Sequence, residues 1–305
     1  MNLLIDAGNT RIKWALVEAG GNSWQHSGVL PVEQASGLPQ FFAGCFDKLG
    51  MDPQNMQIWA SNVAGEDIAQ HIRNIGAGQR PRFIVAREEQ CGVRNGYASA
   101  SQLGSDRWAA LIAAWHLVRG ECLVVNCGTA TTIDTLSMQG EFLGGLILPG
   151  VGLMQRSLCD ATAQLQPAQG KYAPFPQNTA DALLSGAIQA SCGAIERQHA
   201  LLGSEPLRKT EAPVLLSGGA AGQIAPHLRH VTDKTTSHST RRANNARQVA
   251  GYGEASRLRE KVQCGHSRTG ELRSTVSWPH LNLQVQMVDN LVLQGLLLIA
   301  QEAVA

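Results

Sequence analysis

The sequence lacks a charge surplus, a long apolar run, paired cysteines and a Walker-type phosphate loop, and each absence removes a class of protein. Across 305 residues, 25 Lys+Arg stand against 24 Asp+Glu, a formal charge of +1. A dedicated nucleic-acid binder would carry a large basic excess, so the balance argues against one. No run of about 18 apolar residues occurs, which argues against a membrane-spanning helix. Met1 leads into a strand-like Leu3-Leu4-Ile5-Asp6, not into a basic segment and an apolar signal core. The expectation is a soluble, cytoplasmic protein. The seven cysteines are odd in number and scattered, with no Cys-x-x-Cys. Disulfide frameworks and zinc sites need even or closely spaced sets, so small buried thiols are expected instead.

The near-neutral total hides two unlike parts. Residues 229–281 hold ten Lys+Arg and four Asp+Glu, net +6, which leaves 15 against 20, net −5, for the rest. That segment contains TTSHST, RRANNARQ and HSRTGELRST, with few large aliphatic residues and no sustained period, a composition that packs poorly. It is bracketed by a repeat, Pro226-His227-Leu228 and Pro279-His280-Leu281, and without it 252 residues remain in unbroken pattern. The segment reads as a basic, low-order insertion.

The length favours two domains. Leu3 to Ile5 ends in Asp6, Gly8-Asn9 signals a turn, and Ile12 to Val17 is β-prone, which predicts a hairpin with the loop Ala7 to Arg11. The same grammar returns at Leu123 to Val125, Asn126, Gly128-Thr129 and Thr131 to Leu136, with a third strand near Phe142 to Gly150. Alignment of the two units pairs Asp6 with Asn126, Gly8 with Gly128 and Asn9 with Thr129, and suggests two related domains facing each other. Ser105 is placed as the N-cap of a helix whose Trp108, Leu111, Ile112, Trp115 and Val118 share one face, with Gly120 as its stop. Further expectations are a helix from Asp181 to Ile195, a strand from Val214 to Leu216 broken by Ser217-Gly218-Gly219, a last strand from Gln284 to Val288, and a closing helix from Asn290 to Ala300. Strands and helices mix throughout, so the fold class is α/β.

Three loops carry chemistry. In Asp6 to Lys13, Gly8, Asn9 and Thr10 can aim backbone N–H groups and a hydroxyl at phosphate oxygens; Lys13 adds a point charge, and Asp6 can face a metal-bound phosphate. A bare hairpin turn is the plain alternative. The second loop shifts the balance, because Gly128 with Thr129, Thr131 and Thr132 could close on a triphosphate from the other side. In Gly104-Ser105-Asp106-Arg107, a carboxylate in the first helical turn suits the helix dipole, whereas an arginine there does not, and its planar fork suits a substrate carboxylate. An ionised Asp beside a phosphate clamp is a natural acceptor for a hydroxyl proton.

In this order, DAGNTRIKWAL, GSDRWAALIAAW, NCGTATTID, GEFLGGLILPG, NTADALLSGA, LLSGG and VDNLVLQGLLLIA closely resemble type III pantothenate kinases, also known as the Bvg accessory factor family, within the acetate kinase, sugar kinase and actin superfamily. The resemblance covers residues 1–228 and 279–305. It implies two ribonuclease H-like (actin-like ATPase) domains, each a mixed sheet flanked by helices, at residues 1–115 and 116–305, the second interrupted at 229–281, with the nucleotide cleft between them. It implies ATP-dependent phosphorylation of pantothenate, the first step of coenzyme A synthesis, by a homodimer that uses ATP with magnesium and a monovalent cation, potassium or ammonium. Carried over by position, Asp6, Ala7, Gly8, Asn9, Thr10, Arg11, Ile12 and Lys13 resemble the first phosphate loop and Gly128 and Thr129 the second ATP contact. Ser217, Gly218 and Gly219 resemble the adenosine-side loop. Asp106 matches the family's proton acceptor, with Gly104, Ser105, Asp106, Arg107 and Tyr97 around pantothenate and Thr179 closing the pocket from the dimer-related subunit. Where the family has an Asp that binds the monovalent cation, this chain has Asn126, which keeps a carbonyl ligand and loses the charge.

Two other readings stay open on the sequence. One is a non-enzymatic accessory to transcription that uses the +6 segment, against which that segment lacks aromatic interleaving and a binding fold. The other is a superfamily kinase for a sugar or another small carboxylate, which phosphate loops alone do not exclude.

Overall fold

Leu3 and Ile5 of strand β1 (Asn2–Ala7) face one core and Leu4 faces another, so this near-continuous apolar run sits in a sheet covered on both sides. The computed structural model describes residues 1–76, 80–162, 165, 169–202, 212–228 and 283–304. After β1 come β2 (Arg11–Val17), β3 (Trp24–Pro31), α1 (Leu38–Leu49), β4 (Gln57–Asn62), α2 (Glu66–Arg73) and β5 (Arg82–Phe83). The chain continues with β6 (Glu89–Gln90), β7 (Val93–Asn95), α3 (Ser105–Val118), β8 (Cys122–Cys127), β9 (Ala130–Leu136), β10 (Glu141–Pro149), α4 (Val151–Ala161) and α5 (Thr179–Leu202). It closes with β11 (Pro213–Ser217), α6 (Ala221–Ile224), β12 (Gln284–Met287) and α7 (Leu291–Glu302). The expected insertion at 229–281 lies outside the described residues, as does Cys264.

The first sheet has the order β3-β2-β1-β4-β5 and the second β12-β11-β8-β9-β10-β7-β6. β1 pairs antiparallel with β2 and parallel with β4, and β8 pairs antiparallel with β9 and parallel with β11. The plan β1 to β5 therefore recurs as β8 to β12, with the β6–β7 hairpin added at the edge beyond β10. The α/β class with two mixed sheets flanked by helices is what the structure has.

Three apolar clusters follow the period-2 alternation of the strands. Below the first sheet, Leu3, Ile5, Ile12, Trp14 and Leu16 pack on Leu38, Phe42 and Phe46 of α1 and Ile72 of α2. Outside the second, Leu123, Val125, Ile133, Val214 and Leu216 pack on Ile188, Cys192 and Ile195 of α5. The third joins both sheets: Leu4, Ala15 and Trp59 meet Val124, Leu136 and Leu215 around Trp108, Leu111 and Ile112 of α3 and Leu293 and Leu296 of α7. Truncating one such fully buried Leu to Ala costs about 2–5 kcal/mol, mostly through the cavity left. α7 packs on α3, β1 and β4. A Cβ at its Gly295 would collide with the carbonyl of Ala109, so a side chain there forces the two helices apart.

The helix expectations need three corrections. The N-cap of α3 is Gly104, not Ser105, whose hydroxyl lies 2.9 Å from that of Ser61 and is spent tying the helix start to β4. Its end is Arg119, left-handed at φ 51°, one residue before Gly120. α5 outruns the expected Asp181 to Ile195 at both ends; Asn178, expected to introduce it, caps its start, its Oδ1 accepting the Asp181 N–H at 2.9 Å. Cys122, Cys127 and Cys192 are buried, and the six described cysteines are free thiols. No helix among the described residues is long and apolar enough to cross a membrane.

Candidate active site

β1 and β8, with their parallel neighbours β4 and β11, end on the same side as the two tight turns and the first turn of α3. Ligands of open α/β sheets bind beyond such carboxyl ends. In the first turn the Gly8 N–H donates to the Arg11 carbonyl at 3.1 Å, leaving Asn9, Thr10 and Arg11 exposed. In the second, the Gly128 N–H donates to the Ala130 carbonyl at 2.9 Å and Thr129 is exposed. Ala7 and Ile12, expected in the phosphate loop, are fully buried and paired within the sheet, so they shape the turn from below and are not open to a phosphate.

Strand register corrects the internal alignment. Ala7 pairs with Ile12 and Cys127 with Thr131, so the second turn is one residue shorter and Thr10, not Asn9, is the counterpart of Thr129. Those two threonines meet, with their hydroxyl oxygens 2.6 Å apart. Ser217-Gly218-Gly219 closes over the same end: the Ala220 N–H donates to the Cys127 carbonyl at 3.0 Å, and a Cβ on Gly219 would come 3.2 Å from Arg11 Nη1. Gly218 has φ 100°, and a Cβ there would collide with the Cys127 backbone, so only glycine fits.

Asp6 stands opposite Lys13 on β2 and Ser61 on β4. Burial pushes its carboxyl up to about 7; Lys13 pulls it down and Asp106 adds to the rise. Asp106, half-buried in the first turn of α3, accepts the Arg107 backbone N–H at 2.8 Å, and burial outweighs that bond and the Arg107 charge to raise its pKa. Burial also raises Asp134 on β9 to about 6, against Arg107 and with help from Asp106. Asp106 is thus the carboxylate whose charge reaches both others.

Arg107 is almost buried, at 5% exposure. Its Nε lies 3.1 Å from both Asp134 oxygens, Nη2 lies 2.5 Å from Oδ1, and Nη1 donates to the Tyr97 hydroxyl at 3.2 Å. Burial works to lower its pKa, but Asp134 and Tyr97 outweigh that and keep it fully charged. Tyr97 follows β7 on a loop fixed by Asn95, whose Oδ1 accepts the Tyr97 N–H at 3.0 Å, and its ring lies 5.1 Å from that of Phe142. Asp134 was missed in the sequence reading, although a carboxylate in a strand otherwise wholly buried after Ala130 is a signal that it has a partner.

Asn126 stands opposite Thr132 and Ser217, a neutral version of the Asp6 position. No group of three or more His, Cys, Asp or Glu able to hold a metal ion occurs among the described residues. Thr179 is exposed at the start of α5 and lines a separate groove of about 500 Å³ between α4 and α5, with Met154, Leu158 and Leu183.

A family model described as type III pantothenate kinase matches residues 2–200 of the chain. A protein of Aromatoleum aromaticum named type III pantothenate kinase is 47% identical over 226 residues, 73% of this chain and 88% of that one. Another of that name from Nitrosospira multiformis is 38% identical over 302 residues, 98% of this chain and 91% of its own length. Among solved structures, a Sinorhizobium meliloti protein assigned as a 2-dehydro-3-deoxygalactonokinase superposes with a TM-score of 0.52 over 100% of this chain and 99% of that one. At 13% identity this last likeness concerns the fold alone.

Proposed function

The chain belongs to the type III pantothenate kinase family, and from that premise we infer that it transfers the γ-phosphoryl group of ATP to the primary hydroxyl of pantothenate, giving 4'-phosphopantothenate in the first step of coenzyme A synthesis. The observation that supports the reading at the level of residues is the meeting of Thr10 and Thr129, which brings the two phosphate-type turns together at the end of β1 where the Asp106 charge also reaches Asp6. In the reaction the hydroxyl oxygen bonds to the γ-phosphorus, the bond from that phosphorus to the ADP oxygen breaks, and the hydroxyl proton passes to Asp106. The transition state is loose, so placement and charge stabilisation count for more than basicity. The exposed turn Asn9 to Arg11, the Lys13 ammonium, and the turn at Gly128 with Thr129 hold the phosphates. Ser217 to Gly219 takes the adenosine side, and Gly104 to Arg107 with Tyr97 takes pantothenate.

A kinase of this family uses ATP with a divalent metal, and the residues present fit one. Asp6 is a partly buried carboxyl held up near 7 with only Lys13 to offset it, the state of a group that gains by facing a cation. We assign magnesium, which when bound would neutralise phosphate charge opposite Asp6. At Asn126 the oxygens available by register are neutral, from the amide, Thr132 and Ser217. Potassium or ammonium binds weakly to such a set, and turnover responds little to either.

The domains assigned on the family resemblance are residues 1–115 and 116–305, although the β6–β7 hairpin joins the second sheet and α7 packs on the first. The chain acts in the cytoplasm as a homodimer in which Thr179 and the α4–α5 groove face the partner's pocket. An accessory role in transcription is not favoured, since the relatives carry the kinase name. The test is ADP release dependent on both pantothenate and magnesium, across a panel of sugars and small hydroxy acids. Asp106→Asn lowers kcat by about a thousandfold with the fold intact, as loss of a group acting in the transition state does. A folded, dimeric protein that turns over no pantothenate at any potassium or ammonium level would sink the reading.

A further inference from the structure

The Arg107–Asp134 pair calls for an explanation other than stability. Both side chains are nearly inaccessible, at 5% and 2% exposure. A buried ion pair rarely improves on well-packed apolar residues, because desolvation of both charges offsets their attraction. The surroundings are nevertheless built around it. Gly145 of β10 pairs with Asp134 in register, and a Cβ there would collide with Asp134 Oδ1 and come within 2.7 Å of Arg107 Nη2. The guanidinium lies 5.8 Å from the Tyr97 ring centre and 5.7 Å from that of Phe142. Asp134 takes the Nε/Nη2 edge and the Tyr97 hydroxyl takes one Nη1 proton, so the edge that remains is Nη1/Nη2.

We propose that Asp134 is a positioning residue for substrate selection: it fixes Arg107 from behind, with Tyr97 as the second point of the mount and Gly145 as the space that admits it, so that the remaining guanidinium edge reads the carboxylate of pantothenate. The proposal rests on the pantothenate kinase reading. Arg107 sits next in sequence to the proton acceptor, so the same mount sets the distance between the carboxylate end of the substrate and the hydroxyl that reacts. A bidentate pair defines a plane as well as a distance, which a lone contact does not.

The test compares wild type with Asp134→Asn in steady-state kinetics, using pantothenate and its analogue with the carboxylate replaced by hydroxymethyl. Asp134→Asn is expected to raise the pantothenate KM about tenfold or more, with ATP KM within about twofold and kcat less affected, as loss of ground-state and transition-state binding together requires. The preference for the acid over the alcohol falls by about the same factor, since Arg107 is no longer held against the carboxylate. Loss of packing alone would not erase that preference. Gly145→Ala disturbs the pair without changing a charge and should give the same signature, which covers the case in which Asp134→Asn does not fold, judged by stabilisation with magnesium ATP. Unchanged acid preference and pantothenate KM in a folded variant overturn the proposal, as does an equal effect on both substrates. A wild type inert toward pantothenate refutes the functional reading instead.

Discussion

At the end of β1, Asp6 stands opposite Lys13 and Ser61; at the end of β8, Asn126 stands opposite Thr132 and Ser217. The backbone plan is the same and the serine is kept, but both charges are gone from the second copy. Burying a carboxylate is costly, as the rise of Asp6 to about 7 records, and that cost is sustained only where a bound cation can later offset it. The duplicated fold thus supplies two turns of similar shape, with the electrostatic work in the first and neutral hydrogen bonding in the second.

Making the first copy like the second is the most severe way to break this division. Asp6→Asn should lower kcat by about a thousandfold, the scale of losing a preorganised electrostatic contact. It should also stabilise the nucleotide-free protein. With a folded pKa of about 7 against an ordinary 3.8, Asp6 contributes stability that is complete below 3.8 and is lost as pH rises through 7. The melting temperature of the variant relative to wild type therefore grows between pH 4 and pH 8, and a difference independent of pH would count against the assignment.

Lys13→Thr, which copies the Thr132 position, should raise the ATP KM by about 10- to 100-fold, since it removes a charged phosphate contact. Thr10→Val and Thr129→Val test whether the turns act as one clamp. Each should cost about three- to tenfold in ATP KM, and the double variant less than the product, because the two hydroxyls touch. The mildest change runs the other way. Asn126→Asp should change kcat by no more than about threefold without added salt and make turnover rise with potassium, as a hard cation gains a charged oxygen ligand; a potassium response already full in wild type would reverse the comparison.

The strand-turn-strand units, the core face of α3 and the closing helix were legible in the sequence because periodicity and Gly-Asn or Gly-Thr punctuation are local. The pairing of Thr10 with Thr129 was not, since it depends on one turn being a residue shorter, and register is fixed only when the strands are laid side by side. Asp134 was hidden for a similar reason: its partner lies 27 residues away, on a helix that the strand pattern does not mention. Ser105 misled because a serine before an apolar period is the usual cap signal, whereas here its hydroxyl pairs with that of Ser61.

The packing of α7 on α3 sets a schedule for synthesis. Domains generally fold in the order in which they leave the ribosome. The first sheet emerges early, but its third layer is encoded last, after residues 229–281. Until Leu291–Glu302 has cleared the exit tunnel, the side of α3 at Ala109 that receives Gly295 is bare, and the turn bearing Asp106 and Arg107 belongs to a helix without its neighbour. The nascent chain therefore makes both phosphate turns well before it completes the layer that supports its acceptor carboxylate, and through that interval it presents an apolar helix face for a chaperone to hold.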